Sequence, residues 1–249
     1  MEAPATASCE IPKTLAQLLN KSRRECGGTK MMTKDRTPSR NVPMPSVRRL
    51  PQYLRLLRLW RQQGLTHVSC TRLAEALRSD PTQIRKDLSI TGTVGRPRIG
   101  YEIDTLIEAI QKFLGWNEAI PAVLAGVGNL GSALLGYDFT GMGIRIVAGF
   151  DSSPEKIGKI VHGYEVLPVG HMADFISKQG VQVGVLAVPG RAAQSVADLM
   201  ISGGVQGIWN FTPAAVSAPP NVIVERADFS ASLAALCVQL RHKPTGATP

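Results

Sequence analysis

Apolar residues recur at two different spacings along the chain, and the spacing changes near residue 120. Before that point they recur every three or four positions, which is the period of an amphipathic helix. After Ile120-Pro121 short apolar runs alternate with helical stretches, a pattern typical of β-α-β units. A chain of 249 residues is long enough for two domains. The pattern therefore predicts a helical domain followed by an α/β domain with a doubly wound, mostly parallel sheet.

Three helices are predicted in the first domain, which we place at residues 47–101. The first has an apolar stripe formed by Leu50, Tyr53, Leu54, Leu57 and Trp60. Ser69 is a good N-cap for a second helix that runs to Leu77. Asp80 and Pro81 provide a cap and a first residue for a third helix. Because the link between the second and third helices is short, the spacing predicts a helix-turn-helix.

The third predicted helix has an apolar face and a cationic face. Ile84 and Leu88 are four residues apart and face the core, so the opposite side points to solvent. The residues on the outer side and its flanks are Thr82, Gln83, Arg85 and Lys86. Such a face suits a helix that reads the major groove of DNA. A surface helix that merely carries two charges is the alternative interpretation.

A glycine-hinged basic loop follows the third helix. It contains Gly92, Gly95, Arg96, Arg98 and Gly100. The loop suits the wing of a winged helix, in which Arg96 and Arg98 would lie against phosphate or in the minor groove. Residues 102–119 are predicted as a connecting helix. The apolar face of that helix is formed by Ile103, Leu106, Ile107 and Ile110.

Charge divides the chain in the same way as the apolar pattern. Residues 1–100 hold 19 Lys and Arg against 7 Asp and Glu, a net charge of +12. Residues 101–249 hold 9 against 12, a net charge of −3. The basic part is therefore a candidate for binding double-stranded DNA. We interpret residues 1–46 as a disordered basic extension, and a solvated tail without a specific partner is the alternative.

The strongest motif is the glycine-rich stretch GVGNLG at residues 126–131. An apolar, strand-like run precedes it, and a helix-forming run follows. Asp151 ends a second predicted strand twenty residues after Gly131. A lone G-x-G-x-x-G is weak, but this context predicts a dinucleotide site in a Rossmann-type domain at residues 120–228.

Each glycine of this motif has a predicted part in binding the pyrophosphate. Gly126 permits the tight turn, Gly128 lets the backbone approach the ligand, and Gly131 lets the helix pack on the strand. Asp151 can accept hydrogen bonds from ribose hydroxyls and would repel a 2′-phosphate, which favours NAD(H) over NADP(H). Asp151 as a mere turn residue is the alternative.

Further strands are predicted at residues 181–188, 205–211 and 222–226. Val188-Pro189 and Asn210-Phe211 follow two of them, where the nicotinamide half of a dinucleotide would reach. A dehydrogenase would need an acid or base beside the nicotinamide. None of the four histidines lies at a predicted strand end in this crevice, and there is no nucleophile-base pair or metal cluster. A nucleotide site without catalytic groups suggests sensing.

Cysteine spacing and hydropathy predict a cytoplasmic protein. Cys9, Cys26, Cys70 and Cys237 show neither metal-ligand nor C-x-x-C spacing, as expected of reduced thiols. No apolar run is long enough to span a bilayer, and the N-terminus lacks the apolar stretch of a secretory signal. Residues 229–249 contain a last helix with an apolar stripe. That stripe could pack on its own domain or on a partner subunit.

This combination of domains resembles the Rex family of redox-sensing transcriptional repressors over roughly residues 46 to 242. The matching stretches are RRLPQYLRLL, VSCTRLAEAL, QIRKDLS, a wing ending in GY, GVGNLGSALLGY, FDSSPEKIG, VPGRAAQSVAD, GIWNFTP and RADFS. The resemblance implies a homodimer whose C-terminal helix inserts into the partner subunit. It also implies a repressor that binds operator DNA when NADH is low and dissociates when NADH is bound.

The resemblance assigns roles to individual residues. The residues implied in binding NAD(H) are Gly126, Val127, Gly128, Asn129, Leu130, Gly131, Asp151, Lys156, Val188, Pro189, Asn210, Phe211 and Phe229. Arg85 and Lys86 match the cations of the recognition helix. The family also has a switch, in which an aspartate changes its contact partner between a tyrosine and an arginine as the dimer closes. The matching residues here are Asp228, Tyr137 and Arg55.

The chain departs from the family pattern in the wing. Ile90 and Thr91 stand where two aromatic residues are usual, and Val94 replaces a further one. The usual wing arginine aligns with Pro97, although arginines flank it. Two other functions therefore stay open: an NAD-dependent oxidoreductase, and an NAD(H)-binding regulator with weakened DNA binding. Turnover of NADH with carbonyl substrates would indicate the first, and absence of DNA binding the second.

Overall fold

The computed structural model describes residues 42–242, and nearly all of the predicted N-terminal extension lies outside them. The first helix begins at Met44, with Pro45 in its first turn. Proline is well tolerated there, because the first amides of a helix have no partner inside the helix. Residues 44–46 are thus helical, and the extension predicted to reach residue 46 ends earlier.

Four helices and one small strand pair form the helical part. The helices are α1 (Met44–Gln62), α2 (Cys70–Leu77), α3 (Pro81–Ser89) and α4 (Ile103–Leu114). Strand β1 (His67–Val68) pairs antiparallel with β2 (Tyr101–Glu102). The predicted caps are confirmed: Ser69 Oγ accepts a hydrogen bond from Arg72 N at 3.1 Å, and Asp80 Oδ1 accepts one from Thr82 N at 2.7 Å. Each cap satisfies amides that the first turn leaves unpaired.

Helix α4 belongs to the core of this helical part. Its residues Ile103, Leu106 and Ile110 are buried in the same cluster as Leu50 and Leu57 of α1. The predicted boundary at residue 101, with α4 as a separate connector, therefore divides a continuous core. The reason is that the apolar stripes of α1 and α4 are buried in one cluster.

The α/β part is a seven-stranded sheet in the order β5-β6-β4-β3-β7-β8-β9. Its strands are β3 (Ile120–Ala125), β4 (Ile144–Asp151), β5 (Ile160–Val161), β6 (Tyr164–Pro168), β7 (Val183–Leu186), β8 (Gly207–Asn210) and β9 (Ile223–Arg226). The short β5 pairs antiparallel with β6, and the other pairs are parallel. Without β5, the order is that of a Rossmann fold, and the predicted fold class is confirmed.

Three helices cover the sheet between its strands. They are α5 (Asn129–Leu135), α6 (Met172–Gln179) and α7 (Ala193–Gly203). Strands β5 and β6 and helix α6 have no counterpart in the sequence prediction. In the described part of the chain, no helix is both long and apolar enough to cross a membrane.

The last helix, α8 (Phe229–Arg241), has no buried residue. Its apolar side chains Phe229, Leu233, Leu236 and Leu240 are each more than half exposed. Packing of this stripe on its own domain, one of the two predicted alternatives, is therefore wrong. An amphipathic helix left uncovered on a folded domain is typical of an interaction surface.

Candidate nucleotide and DNA sites

The carboxyl ends of five parallel strands lie side by side at one edge of the sheet. Pairing places Phe150, Ala125, Leu186, Asn210 and Arg226 in one row across the strands. Most predicted cofactor residues follow directly after members of this row. Ligands of open parallel sheets bind at this edge, beside the switch point between β3 and β7.

The glycine loop between β3 and α5 has the backbone that a dinucleotide site requires. Gly126 has φ +95°, and a Cβ there would lie 2.5 Å from the carbonyl oxygen of Ala187. A Cβ on Gly131 would overlap the carbonyl oxygen of Gly126, so α5 packs directly on the loop. Above Gly128, by contrast, a Cβ would meet no atom within 4 Å. The loop is closely packed at Gly126 and Gly131. It is open at Gly128, where the pyrophosphate of a dinucleotide would approach.

Val127, which lies within the motif, supports the loop from inside the protein. Its side chain is buried in an apolar cluster of the α/β part. Its N–H donates to Asp151 Oδ2 at 2.8 Å and is therefore not free for a ligand. The amides at the start of α5, at Asn129 and Leu130, have no acceptor within the helix, as is general for first-turn amides.

Asp151 and Lys156 are brought together beside the loop. Lys156 Nζ lies 3.0 Å from Asp151 Oδ2, and Ser153 N donates to Oδ1 at 2.8 Å. Burial alone would raise the pKa of Asp151, but the hydrogen bonds from Ser153, Lys156 and Val127 outweigh it and lower the pKa. The carboxylate therefore stays ionised and accepts three hydrogen bonds of about four possible.

The residues on the predicted nicotinamide side follow β7 and β8. Val188 lies next to Gly126, since a Cβ on that glycine would lie 2.9 Å from Val188 Cγ1, and Pro189 follows it in the chain. Asn210 is buried, and its amide accepts from Thr212 N and donates to Ala214 O. Asn210 thus fixes the loop that carries its neighbour Phe211.

A row of aromatic rings runs from this side of the site to the predicted switch tyrosine. The rings in contact order are Tyr137, Phe139, Trp209, Phe211 and Phe229, with centroid distances of 4.6, 5.5, 4.5 and 6.3 Å. Phe211 and Phe229 therefore lie together, as the cofactor assignment requires, and Tyr137 is connected to them through packed side chains.

The other switch residues have no contact with Tyr137 inside this chain. Asp228 caps α8 by accepting from Ser230 N at 2.8 Å, and hydrogen bonds from the Ser230 hydroxyl and amide lower its pKa. Arg55 on α1 is exposed. The exchange of Asp228 between a tyrosine and an arginine stays a prediction.

The outer face of α3 has the predicted cationic character. Thr82, Arg85 and Lys86 are exposed, and Gln83 is half-buried. Gln83 Nε2 donates to Asp87 Oδ1 at 2.8 Å. This hydrogen bond to a buried carboxylate holds the Gln83 side chain in one orientation.

Asp87, which sequence analysis missed, is fully buried behind this face. Arg49 of α1 binds it with both Nε and Nη2, at 2.6 and 2.7 Å. The hydroxyl of Tyr53 donates to the same carboxylate. Burial would raise the pKa of Asp87, but these bonds outweigh it and hold the pKa well below its usual range. A bidentate ion pair thus fixes the recognition helix on α1.

The wing is a tight hairpin closed by two backbone hydrogen bonds. Arg96 N donates to Gly100 O at 2.8 Å, and Gly100 N donates to Arg96 O at 2.9 Å. Arg98, at the tip, has φ +66°. Both arginines are exposed. Val94 is 87% exposed.

Two departures from the family pattern, Ile90 and Thr91, follow directly after the end of α3. Ile90 packs against the helical core. Thr91 Oγ1 donates to Leu88 O at 2.6 Å and shares a hydrogen bond with Thr93 Oγ1. These contacts give both residues partners at the end of the helix.

Together, a helix-turn-helix with a cationic face and a dinucleotide-type site define a nucleotide-responsive DNA-binding regulator. Comparisons with known proteins agree. A family model described as "Putative DNA-binding protein N-terminus" matches residues 41–89, and one described as "CoA binding domain" matches residues 117–214. The redox-sensing transcriptional repressor Rex of Treponema denticola is 41% identical over 85% of this chain and 100% of its own length. Rex of Bacteroides thetaiotaomicron is 42% identical over 78% of this chain and 89% of its own. The chain belongs to the Rex family of redox-sensing transcriptional repressors.

Solved structures of the family have the same fold. RSP, a Rex-family repressor, was determined in complex with β-NAD⁺ and operator DNA, and that chain is 32% identical with a TM-score of 0.75. The match covers 81% of this chain and 94% of that one. RSP in complex with β-NADH is 31% identical, also with a TM-score of 0.75, over 81% of this chain and 95% of that one. The relatives are named as repressors and not as enzymes.

Proposed function

We propose that the protein is a cytoplasmic, homodimeric repressor that binds operator DNA when NADH is low and dissociates when NADH is bound. The observation that carries the proposal is one chain with both a dinucleotide-type strand edge and a cationic recognition helix. Membership of a family named for redox-sensing repression supports the link between these two sites.

The residues at the carboxyl edge of the sheet fit NAD(H). The open approach above Gly128 suits a pyrophosphate, since a Cβ at that position would meet no protein atom within 4 Å. Asp151 keeps one acceptor position free for a ribose hydroxyl. Its ionised carboxylate would repel a ribose phosphate, which disfavours both NADP(H) and coenzyme A. Lys156 would lie on the adenosine side of the ligand.

The response to redox state follows from the charge of the nicotinamide ring, which is cationic when oxidised and neutral when reduced. Phe211, Phe229, Val188 and Pro189 present an apolar surface to that ring. An apolar surface penalises the cationic form. The ligand can shift the dimer between two states only by the difference in its affinity for them. The contact row from Phe229 to Tyr137 supports transmission of that difference toward the switch residues.

For DNA we assign the outer face of α3 to the major groove and the wing to the backbone or minor groove. Arg85 and Lys86 would contact bases and phosphates, with Thr82 and Gln83 beside them. The ion pair behind α3 supports this assignment, because it fixes the direction of the helix without using the outer face. Arg96 and Arg98 would contact the flanking DNA.

The uncovered α8 supports a dimer in which the helix packs on a partner subunit. Burial of one leucine contributes about 1.5–3 kcal/mol, so Leu236→Glu should weaken the dimer at least tenfold. Ile160→Glu is the matched control, since Ile160 is an exposed apolar residue on the edge strand β5. Sedimentation velocity measures both variants. A Leu236→Glu protein that stays as dimeric as the control contradicts the assignment.

The function itself is tested by a DNA-binding titration. The probe is the DNA upstream of the gene that encodes the chain, titrated without nucleotide and with NADH, NAD⁺ or coenzyme A. We expect release by NADH, weaker release by NAD⁺ and none by coenzyme A. DNA that stays bound in saturating NADH would contradict the sensing function.

A pair of variants separates the two sites in the same assay. Arg85→Ala should abolish DNA binding and leave NADH affinity unchanged, because the side chain is exposed on the outer face of α3. Loss of both activities would indicate misfolding instead of a lost DNA contact. Glu75→Ala is a control, since Glu75 is an exposed residue of the neighbouring α2.

A further inference from the structure

A cavity of about 370 Å³ lies at the end of α5 that is remote from the glycine loop. Helix α5 begins at Asn129 and ends at Leu135, and Leu135 lines the cavity together with the loop that leads to β4. Tyr137, the predicted switch tyrosine, is another of its lining residues. A volume of this size is at the small end of the range of ligand-binding pockets.

Two side chains of opposite charge, Arg145 and Asp138, line this cavity without pairing with each other. Within residues 42–242 the guanidinium of Arg145 has no hydrogen-bond or ion-pair partner. Asp138 accepts hydrogen bonds from the hydroxyl and the amide of Thr140, both with Oδ1, and these bonds lower its pKa. The carboxylate is therefore ionised, and its Oδ2 has no donor among the described residues. The cavity thus offers one cation and one anion to a ligand.

The remaining surface of the cavity includes several apolar side chains. Leu135, Phe139 and Ile146 are buried and Ile144 is half-buried, and all four line it. Burial of an apolar group of a ligand against these side chains is favourable. The cavity therefore combines an apolar wall with two unpaired charges of opposite sign.

A histidine with an unfavourable backbone conformation also lines the cavity. His162 and Gly163 form the turn between β5 and β6, with φ +49° and +86°. Two positive φ values in a two-residue turn favour Asn-Gly, so local preference does not explain the histidine. Its ring packs on Gly136 instead, where a Cβ would lie 2.9 Å from the ring. Residues held in such conformations cluster at ligand sites.

We propose that this cavity binds a free α-amino acid with an apolar side chain. The guanidinium of Arg145 binds the carboxylate of the ligand, and Asp138 accepts hydrogen bonds from its ammonium group. The apolar wall covers the side chain. A purely anionic ligand is repelled by Asp138 and a purely cationic one by Arg145, so a zwitterion fits both charges.

Helix α5 connects the cavity to the nucleotide site. It has seven residues and is therefore about 10 Å long, with the glycine loop at one end and the cavity at the other. The amino acid and NADH should change each other's affinity by the same factor, because coupling between two binding sites is reciprocal. The inference goes beyond the proposed function, since binding of the amino acid itself requires neither NADH nor DNA.

The test is a calorimetric titration of the full chain with L-leucine and two analogues, without NADH. 4-Methylpentanoate lacks the ammonium group of leucine, and 3-methylbutylamine lacks the carboxylate. We expect leucine to bind at least about tenfold more tightly than either analogue, because each analogue loses hydrogen bonds to a charged group. Leucine that does not bind, or that binds no better than both analogues, overturns the proposal.

Two variants assign the charges of the ligand to their partners. Arg145→Gln should weaken leucine about tenfold and bind 3-methylbutylamine no more weakly than the unmodified protein. Asp138→Asn should weaken leucine and leave 4-methylpentanoate no weaker, since asparagine keeps the oxygen that accepts from Thr140. Lys178→Gln, a change at an exposed cation of α6, is the control and should keep leucine affinity. Unchanged leucine affinity in Arg145→Gln overturns the assignment.

The coupling is tested by repeating the leucine titration in saturating NADH. We expect leucine affinity to differ at least about fivefold between the two conditions. Equal affinities overturn the coupling through α5. A chain that binds leucine but not NADH would instead overturn the proposed function and leave the amino acid site in place.

Discussion

Two buried carboxylates, one in each part of the molecule, differ by a single hydrogen bond. Asp87 behind the recognition helix accepts four, from Arg49 twice, Tyr53 and Gln83. Asp151 beside the glycine loop accepts three, from Val127, Ser153 and Lys156. A carboxylate has about four acceptor positions. The saturated group can only hold the fold together, while the unsaturated one can still accept a ligand.

The largest effect is expected from breaking the saturated site. Arg49→Ala leaves the Asp87 carboxylate buried without its cation, which costs about 3–5 kcal/mol of unfolding free energy. Tyr53→Phe removes one hydrogen bond and should cost about 0.5–1.5 kcal/mol, or somewhat more because the acceptor is charged. Urea denaturation measures both variants. Equal losses in the two would mean that the ion pair is not the main constraint on α3.

Acidification should reduce the difference between Arg49→Ala and the unmodified protein. The folded pKa of Asp87 lies below its unfolded value of about 3.9. Its contribution is therefore present above about pH 4 and is lost as the pH falls through the folded pKa. In the variant, burial without the cation raises the pKa instead, so protonation relieves the penalty. A difference in stability that grows toward low pH would contradict this assignment.

At the unsaturated carboxylate, Asp151, substitution should mainly reduce NADH affinity, and the loss of stability should be smaller than at Asp87. Asp151→Ala removes the ribose acceptor and the anchor of Val127, so NADH affinity should fall at least tenfold while DNA remains bound in the presence of NADH. Lys156→Ala should weaken NADH less, because the half-exposed ammonium only supports the carboxylate. NADH fluorescence titration measures both. The comparison of the two carboxylates fails if Asp151→Ala loses as much stability as Arg49→Ala and binds NADH normally.

Local chemistry made much of this structure predictable. Ser69 and Asp80 cap their helices because their side chains bond amides two or three residues away, and such contacts can be inferred from sequence. The glycine loop was predictable for the same reason, since Gly126 and Gly131 are required by the backbone itself. Strand β4 also ends at Asp151 as predicted.

What sequence did not predict depends on residues far apart in the chain. Asp87 is buried by Arg49, 38 residues away, and helical periodicity alone places it between the two faces of α3. Val127 lies in the binding motif, yet its N–H bonds to Asp151, 24 residues further along the chain. Strand β5 has two residues and β6 has five, which is too short for a clear periodic signal. The stripe on α8 indicated burial without indicating what buries it.

The smallest predicted effect concerns the joint between the two regions. Arg48 Nη2 of α1 lies 3.2 Å from Glu225 Oε1 of β9, and among described residues it is the side-chain ion pair that connects the helical part to the sheet. Both side chains are more than half exposed, so the pair contributes less than about 1 kcal/mol. A rigid joint would hold the recognition helix in one direction whatever is bound at the strand edge. A weak, exposed one lets the helical part reorient at little cost.

A double-mutant cycle with Arg48→Gln and Glu225→Gln measures that joint. Each single change should shift the NADH concentration that releases half of the DNA by less than about threefold, and the shift should disappear at high salt. The double variant should behave like either single one, because the contact is already lost. Since Arg48 is also a cation near DNA-binding elements, the Glu225→Gln arm is decisive: it leaves every positive charge in place. A shift of tenfold or more in that arm would mean that the connection between the domains is strong, and that the response to NADH must overcome it.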